Sequence, residues 1–146
     1  MARLMLLITS NAYKDRDGEI ISLNAWREDV ARKWIGGTYV GKDRLLFWHT
    51  GEPIGDIVYS DLHGRFLVEV ARERQGAIKW NGVTLQISDI WDTIQRRKRA
   101  WGCSHGFRYP AAALVDDVYS DVRKWETTVL PVLRAANPFT FAGVIR

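Results

Sequence analysis

The sequence predicts an α+β fold that is mainly β, and three observations lead there. Short apolar or alternating runs bounded by turn residues recur along the whole chain. Only two stretches carry helical spacing. Those two interrupt the strands without alternating with them, which excludes regular βαβ units and leaves an α+β or barrel-like β architecture.

The elements follow in order. Arg3 to Ser10 reads as a first strand, and KDRDGEII, Lys14 to Ile21, contains the Asp17-Gly18 turn signal that joins extended segments. Leu23 to Lys33 has helical spacing, with Asn24 as the expected N-cap, Trp26, Val30 and Trp34 on one side, and Gly36-Gly37 as its end. Leu45 to His49 is a short apolar strand, and Ile54 to Tyr59 is a second extended segment beyond the TGEP turn. His63-Gly64 stands between Ile57-Val58-Tyr59 and the run from Phe66 to Val70, the pattern of an antiparallel hairpin. Ile87, Ile90, Trp91 and Ile94 predict an amphipathic helix. Its last turn takes the basic run Arg96 to Arg99, where cations complement the helix dipole. Trp101 to Arg108 reads as a strand, and Val118 to Leu130 contains another, VRKWETTVL. No repeat and no linker divides the chain, so residues 1–146 are expected to form one domain.

With 146 residues, 47% of them apolar and seven of them Trp, the chain can fill a substantial core, and most of the Trp side chains are expected to pack there or at an interface. Met5 to Ile8 is too short for a signal peptide or a membrane span, so a cytoplasmic protein that does not engage membranes is expected. The single cysteine, Cys103, allows no intrachain disulfide and suits a reducing compartment; on a strand its side chain faces away from Ser104, as a core filler. A net charge of +4 could favour acidic partners or nucleic acid, but the basic residues are dispersed and RRKR reads as a solvated helix end.

A serine hydroxyl is a poor nucleophile until a base accepts its proton, and imidazole is suited to that role. Ser104, set in GCSHGF, is the candidate nucleophile. Of the three histidines, His105 adjoins Ser104 and points away from it on a strand, and His63 belongs to a hairpin turn, so His49 is the candidate base. Glu126 sits among apolar and β-branched neighbours in WETTVL, where an unpaired carboxylate is expensive, and is the candidate orienting group. Sequence order alone does not bring the three together. The scattered His and Cys residues lack zinc-site spacing, and neither G-x-x-x-x-G-K-[ST] nor G-x-G-x-x-G occurs, so no metal or nucleotide cofactor is expected.

Read in order, KDRDGEIISLNAW, LLFWHTGEPIGDI, GRFLVEV, GCSHGF and WETTVLPVLRAANPFT resemble the sequence blocks of tailed-phage prohead proteases, the capsid maturation proteases. The resemblance spans most of the chain and implies a herpesvirus assemblin-like, mainly antiparallel β-barrel with a few flanking helices. It also implies Ser104 as nucleophile, His49 as general base and Glu126 as the acidic member. The implied activity is peptide-bond hydrolysis inside an immature capsid in the host cytoplasm. The implied substrates are the major capsid protein, a scaffold protein and the protease itself, with a homodimer or larger assembly as the expected state. Two departures stand out: the stretch from Glu126 to AANP is about two residues longer than in the family pattern, and His105 occupies a position that is often apolar. Relatives of this fold from herpesviruses place a histidine where Glu126 would act. Relatives often extend beyond the ANP block, so a matured or trimmed form is expected. Two other readings remain at this stage: a catalytically inactive capsid assembly or scaffold protein of the same fold, and a basic nucleic-acid-binding domain using RRKR with Trp91 and Trp101.

Overall fold

A computed structural model describes residues 2–10 and 15–145. Lys14, the first residue of the expected turn segment, lies outside them. In chain order the elements are β1 (Leu4–Ser10), β2 (Ile20–Ile21), α1 (Leu23–Ala31), β3 (Trp34–Ile35), β4 (Thr38–Tyr39), β5 (Arg44–Phe47), β6 (Gly55–His63) and β7 (Phe66–Glu73). They continue as β8 (Ala77–Trp80), β9 (Val83–Gln86), α2 (Ile87–Arg96), β10 (Trp101–Arg108), β11 (Leu114–Val115), β12 (Val118–Tyr119), β13 (Arg123–Pro131) and β14 (Phe141–Val144). Seven strands form one sheet in the order β10-β13-β5-β6-β7-β1-β14, antiparallel throughout except for the parallel pair β13 and β5. The sheet curls until its edges nearly meet. The Cys103 amide donates to Thr140 Oγ1 at 2.9 Å and the Cys103 thiol to the Phe141 carbonyl at 3.2 Å, which ties β10 to the start of β14. The expected mainly β, barrel-like α+β architecture is present.

Alternation decides what faces inward. Met5 and Leu7 on β1, and Leu67, Glu69 and Ala71 on β7, are all buried, while the residues between them are only partly so. Two apolar clusters form. One joins Met5, Leu45, Ile57, Cys103 and Val129 to the α2 face of Ile87, Ile90, Trp91 and Ile94, which are the residues with helical spacing. The other joins Trp26 and Val30 of α1 to Leu67, Tyr119 and Val122. The two fully buried Trp indoles satisfy their N–H groups: Trp26 donates to Ser10 Oγ at 3.0 Å and Trp91 to the Ile54 carbonyl at 3.0 Å.

The interior also holds an ionic cluster. Lys124 Nζ bonds to Asp43 and Thr127 and lies 3.1 Å from Glu69 Oε2, while Lys33 Nζ bridges Asp29 at 2.9 Å and Asp43 at 2.8 Å. Burial pushes the Asp43 carboxyl up, but the ammonium groups of Lys124 and Lys33 outweigh it and hold the group below the usual carboxylate range. Lys124 shows the counterpart: burial pulls its ammonium down, and Glu69 and Asp43 more than compensate, raising it to about 12.

Several local expectations are corrected. The N-cap of α1 is Ser22, whose extended backbone lets its hydroxyl accept the Ala25 amide at 3.1 Å; Asn24 lies inside the helix. Trp34 belongs to β3. Gly36-Gly37, with φ of 56° and 81°, does not end α1 but makes the two-residue turn between β3 and β4. β5 stops at Phe47, two residues before His49. Helix α2 ends at Arg96, so only the first residue of RRKR is helical and all four side chains are exposed.

Candidate active site

Three strands and one turn build the site. On β10 and β13, Ser104 pairs directly with Thr128 and Gly106 with Glu126. Paired residues share a face, so Ser104, Gly106, Glu126 and Thr128 lie on one side, and Cys103, His105, Thr127 and Val129 lie on the inward side. Strand β5 runs parallel beside β13, with Leu46 opposite Thr128 and Phe47 opposite Val129. Beyond β5 the chain turns through Trp48 and His49, both left-handed with φ of 54°. Such backbone costs a non-glycine residue roughly 1–2 kcal/mol. Strand β13 holds the turn: the Trp48 amide donates to the Val129 carbonyl at 3.0 Å, and the His49 amide to Thr128 Oγ1 at 2.8 Å.

The turn sets the His49 ring against Glu126, with Nδ1 3.3 Å from Oε1. The imidazole side is about half exposed, and the carboxylate side is only 10% exposed. With Nδ1–H held by Glu126, Nε2 keeps a lone pair for an incoming proton, the tautomer a general base needs. Ser104 lies on this same face, one cross-strand pair from the hydroxyl that holds His49. Among the described residues no hydrogen bond joins Ser104 to His49; the contact made is the one between His49 and Glu126.

Glu126 reaches this position through a β-bulge. The register slips between Gly106 and Phe107, so that Glu126 and Lys124 oppose consecutive residues of β10 and Trp125 opposes none. Lys124 can then enter the interior with Thr127 while Glu126 remains on the Ser104 face. Trp125 stays 43% exposed, with the Arg108 guanidinium 5.5 Å from its ring centre. Gly106 supplies the space above β10, since a Cβ there would stand 2.5 Å from Glu126 Oε1.

Ser104 also lines a cavity of about 170 Å³ shared with Cys103, His105, Asp15, Asp17 and Glu19; His49 and Glu126 lie outside its lining. One oxygen each of Asp15, Asp17 and Glu19 lie within 4.8 Å of one another, a grouping the sequence reading does not single out. Asp15 Oδ1 accepts the Asp17 and Glu19 amides at 2.9 and 2.8 Å, and Glu19 Oε2 accepts the Tyr119 hydroxyl at 2.9 Å. These carboxylates brace the Asp17-Gly18 turn. His63, at the end of β6, pairs through Nε2 with the Tyr59 hydroxyl at 2.8 Å.

His105 is partly buried as a residue, but its Nε2 is closed to solvent and has no hydrogen-bond partner among the described residues. Its ring lies 5.0 Å from that of Trp26. Burial, reinforced by the Lys124 charge, pushes the imidazole down to about 3. The unfolded chain therefore takes up a proton near pH 6.5 that the folded chain refuses until about pH 3, and stability falls as the pH drops through this window. The expected contribution at pH 5 is a loss of about 2 kcal/mol relative to neutral pH. His105→Leu should remove it, as a shallower acid limb in denaturant unfolding followed from pH 7 to 4; an unchanged limb would show that His105 is not the group responsible.

Comparison with family models, with curated proteins and with solved structures gives no match for this chain.

Proposed function

We propose that the protein is a serine endopeptidase of phage head maturation, with an assemblin-like barrel, cleaving capsid and scaffold proteins and itself within the immature capsid. The observation that carries this reading is the 3.3 Å contact of His49 Nδ1 with Glu126 on the face that presents Ser104. His49 Nε2 takes the Ser104 hydroxyl proton as Oγ attacks the scissile carbonyl. The tetrahedral intermediate collapses, the C–N bond breaks, and the same proton passes to the leaving amine. Water, deprotonated by His49 in turn, releases the acyl group and restores Ser104. This chemistry uses protein side chains and water, with no cofactor.

The test is Ser104→Ala in the full chain, produced together with its capsid and scaffold proteins. Labelling of the purified protein by a fluorophosphonate is followed in parallel. The wild-type chain is expected to cleave its partners and take the label on Ser104, and the variant to do neither while keeping the wild-type circular dichroism. Cleavage by the variant would remove Ser104 from the mechanism. A wild-type chain that neither cleaves nor takes the label, yet joins the immature capsid, would identify a non-enzymatic assembly protein.

A further inference from the structure

We infer that Thr128 is a positioning residue of this site, its hydroxyl fixing the left-handed turn that keeps His49 against Glu126 on the face that carries Ser104. The inference rests on the reading of His49 as the base. Trp48 and His49 are consecutive left-handed residues and neither is glycine, so the turn persists only where neighbouring groups hold it. Two contacts from β13 do so. The Val129 carbonyl accepts the Trp48 amide, a backbone contact that no substitution of Val129 removes. Thr128 Oγ1 accepts the His49 amide at 2.8 Å and is the side-chain member.

Thr128 is completely buried, and its position explains why a hydroxyl is there at all. Valine has a similar branched shape and suits a strand equally well, so strand packing alone does not call for the oxygen. The residue pairs across to Ser104 on β10 and stands two residues from Glu126 on β13. That side-chain bond ties the base to the strand that carries the acid, and the strand pairing of Thr128 with Ser104 sets the nucleophile's strand beside it. A small displacement of a catalytic group is enough to cost about 100-fold in rate.

The test compares Thr128→Val, which removes the acceptor and keeps the branched shape, with Thr128→Ser, which keeps the acceptor. Two quantities are read in the full chain: kcat and KM on a scaffold-derived peptide, and the low-field proton resonance of the His49 Nδ1–H held by Glu126. Thr128→Val is expected to lower kcat by about 100-fold with little change in KM, and to broaden or shift that resonance. Thr128→Ser should restore both. If Thr128→Val does not fold, Thr128→Ala is read in the same way. Wild-type kcat and resonance in a variant lacking the hydroxyl, or a serine variant as impaired as the valine one, would overturn the inference. If the wild-type chain hydrolyses nothing while the resonance still follows the hydroxyl, the positioning role stands and the protease reading falls.

Discussion

Glu126→Gln is expected to lower kcat for peptide hydrolysis by about 10⁴-fold with KM little changed, the scale on which a triad loses rate when its imidazole takes the wrong tautomer. Glu126 Oε1 faces His49 Nδ1 at 3.3 Å and accepts only. A glutamine amide there can donate instead, which favours the tautomer with its proton on Nε2, where the proposed mechanism needs a lone pair. Gly106→Ala is expected to act in the same direction without changing a titratable group, because its Cβ would crowd Glu126 Oε1 at 2.5 Å and push the carboxylate away. Steady-state kinetics, with active-site titration to count competent molecules, reads both variants. An undiminished kcat in Glu126→Gln would remove Glu126 from the site, and the third member would have to be sought among other neighbours of His49.

The parts of this site legible in the sequence are those set by local periodicity. Alternation along GCSHGF places Cys103 and His105 opposite Ser104, and the register of β10 on β13 agrees. Helical spacing locates the buried face of α2. Trp26, Trp91 and Trp101 are buried as expected, but Trp48 and Trp125 are exposed, beside His49 and Glu126 in the chain.

What escapes local reading depends on distant partners. Strict alternation along VRKWETTVL would put Lys124 and Glu126 on one face; the bulge at Trp125 separates them, and no glycine marks it on β13 itself. The left-handed turn at Trp48 and His49 likewise lacks the Gly or Asn that signals such backbone, since its hold comes from β13, some 80 residues later by the spacing of His49 and Thr128. Lys33, Lys124, Asp29, Asp43 and Glu69 each read as ordinary surface charges until the fold brings them together. In FLVEV, Glu69 shares the inward face with the buried Leu67, two residues away.

Lys124→Met should lower the free energy of unfolding by about 3–5 kcal/mol, the range for removing one partner of a buried ion pair, and the melting temperature by about 10–20 °C. The ammonium is fully buried and serves Asp43, Glu69 and the Thr127 hydroxyl together. Without it Asp43 keeps Lys33 and, among the described residues, Glu69 keeps the Thr127 hydroxyl, so three buried carboxylates face Lys33 and, at Asp29, the partly exposed Arg32. If the loss arises from stranded charge, adding Glu69→Gln to Lys124→Met should recover part of it; a double variant less stable than the single one would assign the loss to packing. Arg74→Ala provides the contrast, because its pair with Asp56 is exposed on both sides and is worth at most about 1 kcal/mol. A Lys124→Met variant that loses no more than Arg74→Ala would mean that the cluster does not stabilise the barrel. The consequence should extend beyond stability. Lys124 is the inward anchor of the bulge whose outward residue is Glu126, so amides of β10 and β13 around the bulge should exchange faster in Lys124→Met, and activity should fall before the barrel unfolds.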